Sequence, residues 1–116
     1  MEPIEIFESN IRSYGDRAGV FEYTDDTGFF YLYNSNCKDG EKIIGAIPII
    51  SGEINFCDKD VEIVWNNDES MVALFILGEI CAVFDVESKI SYGGDIKVKK
   101  NIIPPEIKSC FSEINE

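Results

Sequence analysis

Residues 61–86, VEIVWNNDESMVALFILGEICAVFDV, constrain the fold of this chain more than any other stretch. Three apolar runs are divided by a polar break from Asn66 to Ser70 and by a second break at Gly78-Glu79. Two strand-like runs separated by two residues that begin with Gly signal a hairpin, because Gly supplies the positive φ that a type II′ turn needs at its first central position. The pattern predicts a three-stranded antiparallel meander. With Leu77 facing Ile80, Phe75 opposes Ala82 and Ala73 opposes Phe84 on one face, while Ile76 meets Cys81 and Leu74 meets Val83 on the other. The middle strand is apolar on both faces, so it belongs at the centre of a sheet covered on both sides.

The chain has 116 residues, of which 45% are apolar. That is one domain, able to remove roughly two thirds of its unfolded surface from water without metal or disulfide staples. Met1 is followed by Glu2, Glu5 and Glu8, the wrong charge for a leader peptide, and no apolar run approaches the length of a membrane span. A cytoplasmic protein with no membrane partner is expected. The formal net charge is −12, which excludes the basic footprint of a nucleic-acid binder. Lys89, Lys97, Lys99, Lys100 and Lys108 concentrate in residues 89–116, so the negative charge belongs to the first 88 residues. A cationic partner would meet that part of the surface.

Before the central meander, residues 3–8 alternate as a short half-exposed strand, with Ile4 and Ile6 opposed to Glu5 and Phe7 and with Pro3 at its first position. Residues 9–17 form a polar turn. Residues 18–23 and 29–33 are strands joined through Thr24-Asp25-Asp26-Thr27-Gly28, where Asp side chains bond nearby N–H groups and Gly accepts positive φ. After a loop at 34–42, residues 43–50 carry Gly45 and Pro48 and read as an irregular or edge strand. Residues 53–57 are a possible short strand and 90–92 a weak one, and Ile96 to Lys99 alternate with lysines that guard an edge. Pro104, Pro105 and Glu106 then open a helix whose Ile107, Cys110, Phe111 and Ile114 recur at three and four residue spacing. The expected fold is mainly β: an antiparallel meander of seven or eight strands, curled or two-layered, with one C-terminal amphipathic helix able to cover a sheet face.

The chemical inventory is narrow. There is no His, and Cys37, Cys57, Cys81 and Cys110 form no CxxC pair, so His-based catalysis and a structural zinc site are not expected. No cofactor, metal or catalytic residue is assigned. Glu22, Asp25 and Asp26 cluster at the first hairpin but lack the spacing of a calcium loop. Asp85 follows Val83 and Phe84 and shares a face with Leu74 and Val72 in the register above, a possible buried acid or strand-end structural group. Trp65 shares its face with Val61 and Ile63, which suits core packing and, alternatively, an interface anchor. Tyr23, Phe29, Tyr31 and Tyr33 form either ordinary cross-strand pairs or an aromatic recognition patch.

Several stretches together resemble a small bacterial family: Val20-Phe21-Glu22, then Asp26-Thr27-Gly28-Phe29-Phe30-Tyr31, Val64-Trp65-Asn66 with Asp68, Ala73-Leu74-Phe75-Ile76, and Ala82-Val83-Phe84-Asp85. The family is the domain of unknown function 2251, whose first hairpin is more acidic than the Tyr23-Thr24-Asp25 found here. The resemblance implies a bacterial source and a small, mainly β cytosolic domain, and it implies no catalytic residues.

The functional expectation is a non-enzymatic acidic module that binds a basic protein, most concretely an immunity protein paired with a cationic toxin such as a nuclease. Its contact residues are expected among Glu22, Asp25, Asp26, Tyr31, Tyr33, Trp65, Asp68 and Glu69. The alternatives are a housekeeping or regulatory domain with another protein partner and, less favoured, a small-ligand binder or carboxylate enzyme using Glu22, Asp26 or Asp85.

Overall fold

The computed structural model describes residues 4–35, 42–96 and 103–111. Eight strands form two antiparallel four-stranded sheets, each an uninterrupted meander. The first contains β1 (Ile6–Ile11), β2 (Arg17–Thr24), β3 (Thr27–Asn34) and β4 (Ile43–Ser51). The second contains β5 (Val61–Trp65), β6 (Met71–Ile76), β7 (Glu79–Asp85) and β8 (Ile90–Gly93). The sheets stack as two layers without closing into a barrel.

Alternation decides which side chains meet between the layers, because successive residues of a strand point to opposite faces. Ile6, Phe21, Tyr23, Phe30, Leu32, Ile47 and Ile50 of the first sheet pack on Val61, Ile63, Trp65, Val72, Leu74, Ala82 and Phe84 of the second. Phe21 and Phe30 are fully buried, and the Phe30 and Phe84 rings lie 5.2 Å apart. Complete burial of such a side chain stabilises by roughly 1.5–3 kcal/mol, the same scale as each buried Ile, Leu or Val beside it. Gly19 lets the layers approach closely: a Cβ there would sit 2.8 Å from a Val72 methyl and 2.9 Å from an Ile63 methyl.

The meander over 61–86 forms as expected, with β6 buried on both faces. Its register differs by two residues beside the turn and by one from Leu74 onward. Ile76 pairs with Glu79, Phe75 with Ile80, Leu74 with Ala82, Ala73 with Val83 and Val72 with Phe84, with an irregularity between Leu74 and Phe75. The turn is Leu77-Gly78, positive in φ at both positions (54° and 80°), which is the type I′ pattern rather than II′. The Leu77 N–H donates to the Asp60 carbonyl at 2.8 Å, tying the turn to the segment before β5. A one-residue slip exchanges faces: Ala82 and Phe84 join Leu74 and Val72 in the interlayer core, and Asp85 lies opposite Met71 instead of sharing a face with Leu74 and Val72.

The first hairpin is also tighter than expected. Thr24 pairs with Thr27, leaving Asp25 (φ 53°) and Asp26 (φ 62°) as a second two-residue turn. Gly28 belongs to β3 and serves packing rather than turn geometry, since a Cβ there would approach Ile50 to 2.9 Å. The β1 strand starts at Ile6 and runs on to Ile11, three residues beyond the expected end. As expected from Pro48, β4 is an edge strand with two register shifts against β3, and β8 forms at 90–93. Residues 53–57 make no strand; a 3-10 turn at Asp58–Asp60 leads into β5.

The C-terminal helix α1 (Pro105–Lys108) has Pro at its start and continues as a 3-10 turn over Ser109–Phe111. Ile103 and Phe111 are buried on Ala73, Phe75 and Val83, with Ile107 and Cys110 beside them. The C-terminal segment therefore covers the outer face of the second sheet. Pro3, Cys37, Lys97, Lys99 and Ile114, each part of an expectation above, lie outside the described residues, as does most of the loop at 34–42.

Candidate protein-binding surface

The outer face of the first sheet follows directly from its register. Three cross-strand rows run from β1 to β4: Phe7, Glu22, Phe29, Pro48; then Ser9, Val20, Tyr31, Ala46; then Ile11, Ala18, Tyr33, Ile43. Glu22 is the single charge in this grid, on a chain of net charge −12. Val20 and Ala18 are buried beneath their larger neighbours, whereas Phe7 is 63% exposed and Ile11 56%. The Phe29 and Tyr31 rings stack at 5.7 Å with their planes 14° apart, and Tyr33 meets Tyr31 edge-on at 6.1 Å. Burial and the nearby Glu22 carboxylate push the Tyr31 phenol above its ordinary pKa, so it stays a neutral donor at physiological pH. No described segment packs over this face, in contrast to the outer face of the second sheet.

The carboxylates are unevenly placed. Strand directions bring Glu5, Asp25, Asp26, Glu53, Asp58, Asp60, Glu79 and Asp95 to the end of the sandwich that holds the two tight turns. Lys59 is the only cation with them among the described residues. At the opposite end Asp16, Asp68, Glu69, Asp85 and Glu87 are interspersed with Arg12, Arg17, Lys42 and Lys89. Among the described residues the net negative charge is therefore concentrated at one end.

These placements sort the expected contact residues. Glu22, Tyr31 and Tyr33 lie together on the open face, with Asp25 and Asp26 at its acidic end. Tyr23 does not join the aromatic group. It points between the layers, is 2% exposed, and donates its hydroxyl to the Gly52 carbonyl at 2.7 Å, within 3.3 Å of Asp26. Desolvation first and the Asp26 charge second raise its pKa.

Trp65, Asp68 and Glu69 lie at the other end and are engaged inside the molecule. Trp65 is 7% exposed, so of the two roles it takes core packing. Its indole N–H donates to the Asn10 carbonyl at 3.0 Å, while the Asn10 amide donates to the Ile63 carbonyl at 2.8 Å. This reciprocal pair stitches edge strand β1 to edge strand β5. The Arg12 guanidinium lies 5.6 Å from the Trp65 ring centre, donates to the Glu69 carbonyl, and grips Asp16 with two bonds of 2.7 and 2.8 Å. That grip holds the Asp16 carboxyl well below its usual range, at about 2. The Glu69 carboxylate accepts from the Ser13 N–H and hydroxyl, and Asp68 accepts from the Ser70 N–H and hydroxyl. Asp68 thereby closes its own turn, and Glu69 ties that turn to the one between β1 and β2. Asp85 is half-exposed rather than a buried acid, and it caps the following turn by accepting from the N–H groups of Glu87 and Ser88.

The open face also contains Phe7, Ile11 and Phe29. Phe29 was legible as part of the aromatic run, but Phe7 and Ile11 were separated by ending the first strand at Glu8. The alternation Phe7, Ser9, Ile11 was the available signal. Among the described residues, no group of three or more His, Cys, Asp or Glu is arranged to hold a metal ion, and no helix is long and apolar enough to cross a membrane.

Comparison with known proteins gives no match among curated proteins and none among solved structures. Residues 5–104, wider than the stretches that first suggested it, match the model of a family described as an uncharacterized protein conserved in bacteria. All of β1 to β8 falls within that match, and the chain belongs to this bacterial family, DUF2251.

Proposed function

We propose that this chain is a non-enzymatic module that binds a basic protein, and specifically an immunity protein that neutralises a cationic toxin such as a nuclease. The observation that carries the reading is the aromatic and aliphatic grid over β1 to β4, which no described segment covers, whereas the second sheet is covered by the C-terminal segment. Contiguous exposed apolar surface on a small protein marks an interaction site. Tyrosines and phenylalanines held in stacked contact supply interface area at low entropic cost. The acidic end beside the grid supports a cationic partner and fast association with it, and it disfavours a second copy, since two bodies of net charge −12 repel.

The test is co-expression with the product of the adjacent gene, followed by co-purification and a growth assay. Wild-type chain is expected to bind that product and restore growth, with capture weakened at high salt. The surface variants Tyr31→Lys and Phe7→Glu are expected to abolish both. Binding without rescue would reassign the chain to a regulatory role, and variants that bind as well as wild type would remove the grid from the interface.

A further inference from the structure

Glu22 is the one charged side chain in the rows of the open face, and the register puts it between two phenylalanines, Phe7 on β1 and Phe29 on β3. It is half-buried, and among the described residues its carboxylate accepts no hydrogen bond and joins no ion pair. Glu5, beyond Phe7 towards the acidic end, differs: its carboxylate accepts from the Thr24 hydroxyl at 3.1 Å. Glu5, Phe7, Glu22 and Thr24, with Ile6 and Tyr23, line an open depression of about 320 Å³. We propose that the basic partner seats an arginine in this depression, its guanidinium on the Glu22 carboxylate and against the Phe7 ring. This arginine subsite rests on the reading of the open face as the partner surface and makes Glu22 the residue that selects the partner.

Desolvation is what calls for a cation at this point. Any partner that covers Phe7, Phe29 and Tyr31 also removes water from Glu22, and a carboxylate taken out of water without an opposite charge opposes binding strongly. An apolar or acidic side chain above Glu22 is therefore selected against, whereas a cation turns the same carboxylate into an attraction. Arginine fits better than lysine. Its guanidinium is flat and weakly hydrated, pairs with a carboxylate through two N–H groups, and lies against an aromatic ring at the same time. Phe7, 63% exposed, is the ring open to it, since Phe29 already stacks on Tyr31. Glu5 continues the lining into the acidic end of the sandwich and adds longer-range attraction for the same cation.

The experiment is an amide-shift titration of the full chain with acetyl-Leu-Arg-Leu-amide, and in parallel with peptides in which lysine or the neutral isostere citrulline replaces arginine. The arginine peptide is expected to shift Phe7, Glu22 and Thr24 saturably. The citrulline peptide should bind about five- to tenfold more weakly, the scale of an exposed ion pair with a ring contact, and the lysine peptide should fall between them. Glu22→Gln is expected to bring all three peptides to the citrulline level. Glu79→Gln, which removes the same charge from the acidic end of the second sheet, should keep the preference. Equal binding of arginine and citrulline or of arginine and lysine, a preference that survives Glu22→Gln, or one lost equally with Glu79→Gln would each overturn the subsite. No partner protein enters this titration, so its outcome is separate from that of the co-expression test. A captured partner without any arginine preference strikes the subsite and leaves the open face standing, whereas a Glu22-dependent preference without capture or rescue retains the subsite and strikes the immunity reading.

Discussion

Substituting Gly19 by Ala tests the two-layer packing by the sign of its effect. In an unhindered strand this change stabilises by about 0.5–1 kcal/mol, since it removes chain entropy from the unfolded state. At Gly19 the added methyl meets Val72 Cγ2 at 2.8 Å and Ile63 Cγ2 at 2.9 Å. Ordinary carbon contacts begin near 3.5 Å, so both neighbours must withdraw by more than half an ångström. Both are β-branched and stiff about χ1. Val72 is fully buried and Ile63 nearly so, so overpacking at the upper part of the usual range, about 2–3 kcal/mol, is expected. Subtracting the entropic gain leaves a net loss of about 1–2 kcal/mol. Urea denaturation should show a lower midpoint at unchanged slope. In a Val72→Ala background the new methyl enters vacated space, and a double-mutant cycle should return a coupling of about 1 kcal/mol. A stabilised Gly19→Ala variant, or additive effects in the cycle, would refute the close approach of β2 to β6.

Two further outcomes follow from the turns. Gly78 holds φ at +80° with nothing within 4 Å of its would-be Cβ, so Gly78→Ala should cost about 1 kcal/mol from backbone conformation alone, and a stability gain in the same denaturation assay would argue against the type I′ turn. Asp16, held at about 2 by Arg12 against an ordinary 3.8, stabilises the fold above its unfolded pKa, and that contribution disappears as pH falls from about 4 towards 2. At this solvent-accessible pair the contribution is on the order of 1 kcal/mol, so Asp16→Asn should show a shallower acid loss in thermal melts than wild type, and parallel profiles would remove Asp16 from the account.

Local pattern carried much of the fold because the decisive residues act locally. Pro48 cannot donate to a ladder and made β4 an edge. Paired prolines followed by apolar residues at helical spacing announced the C-terminal helix. Residues 61–86 alternate or saturate with apolar side chains in a way that only a buried meander accommodates. The register of β6 and β7 was not legible, because Gly78 suits either the first position of one tight turn or the second position of another. What separates the two is distant in sequence: Phe84 must reach Phe30 in the other layer, and the Leu77 N–H must reach the Asp60 carbonyl. The same distance effect governs the surface. Tyr31 and Tyr33 were visible as an alternating aromatic run, but which strands flank them depends on tertiary pairing. Trp65 and Glu69 looked available for a partner because their internal partners, Asn10, Arg12 and Ser13, lie more than fifty residues away, whereas Asp68 is taken up locally by Ser70.

The open face of the first sheet is tested most directly by photo-crosslinking in cells, with benzoylphenylalanine placed singly at Phe7, at Ile11 and, as a control, at the exposed turn residue Leu77. The reading predicts a shared covalent adduct with one basic protein from Phe7 and Ile11 and none from Leu77. Adducts from Leu77 alone, or only adducts of the chain with itself, would contradict it.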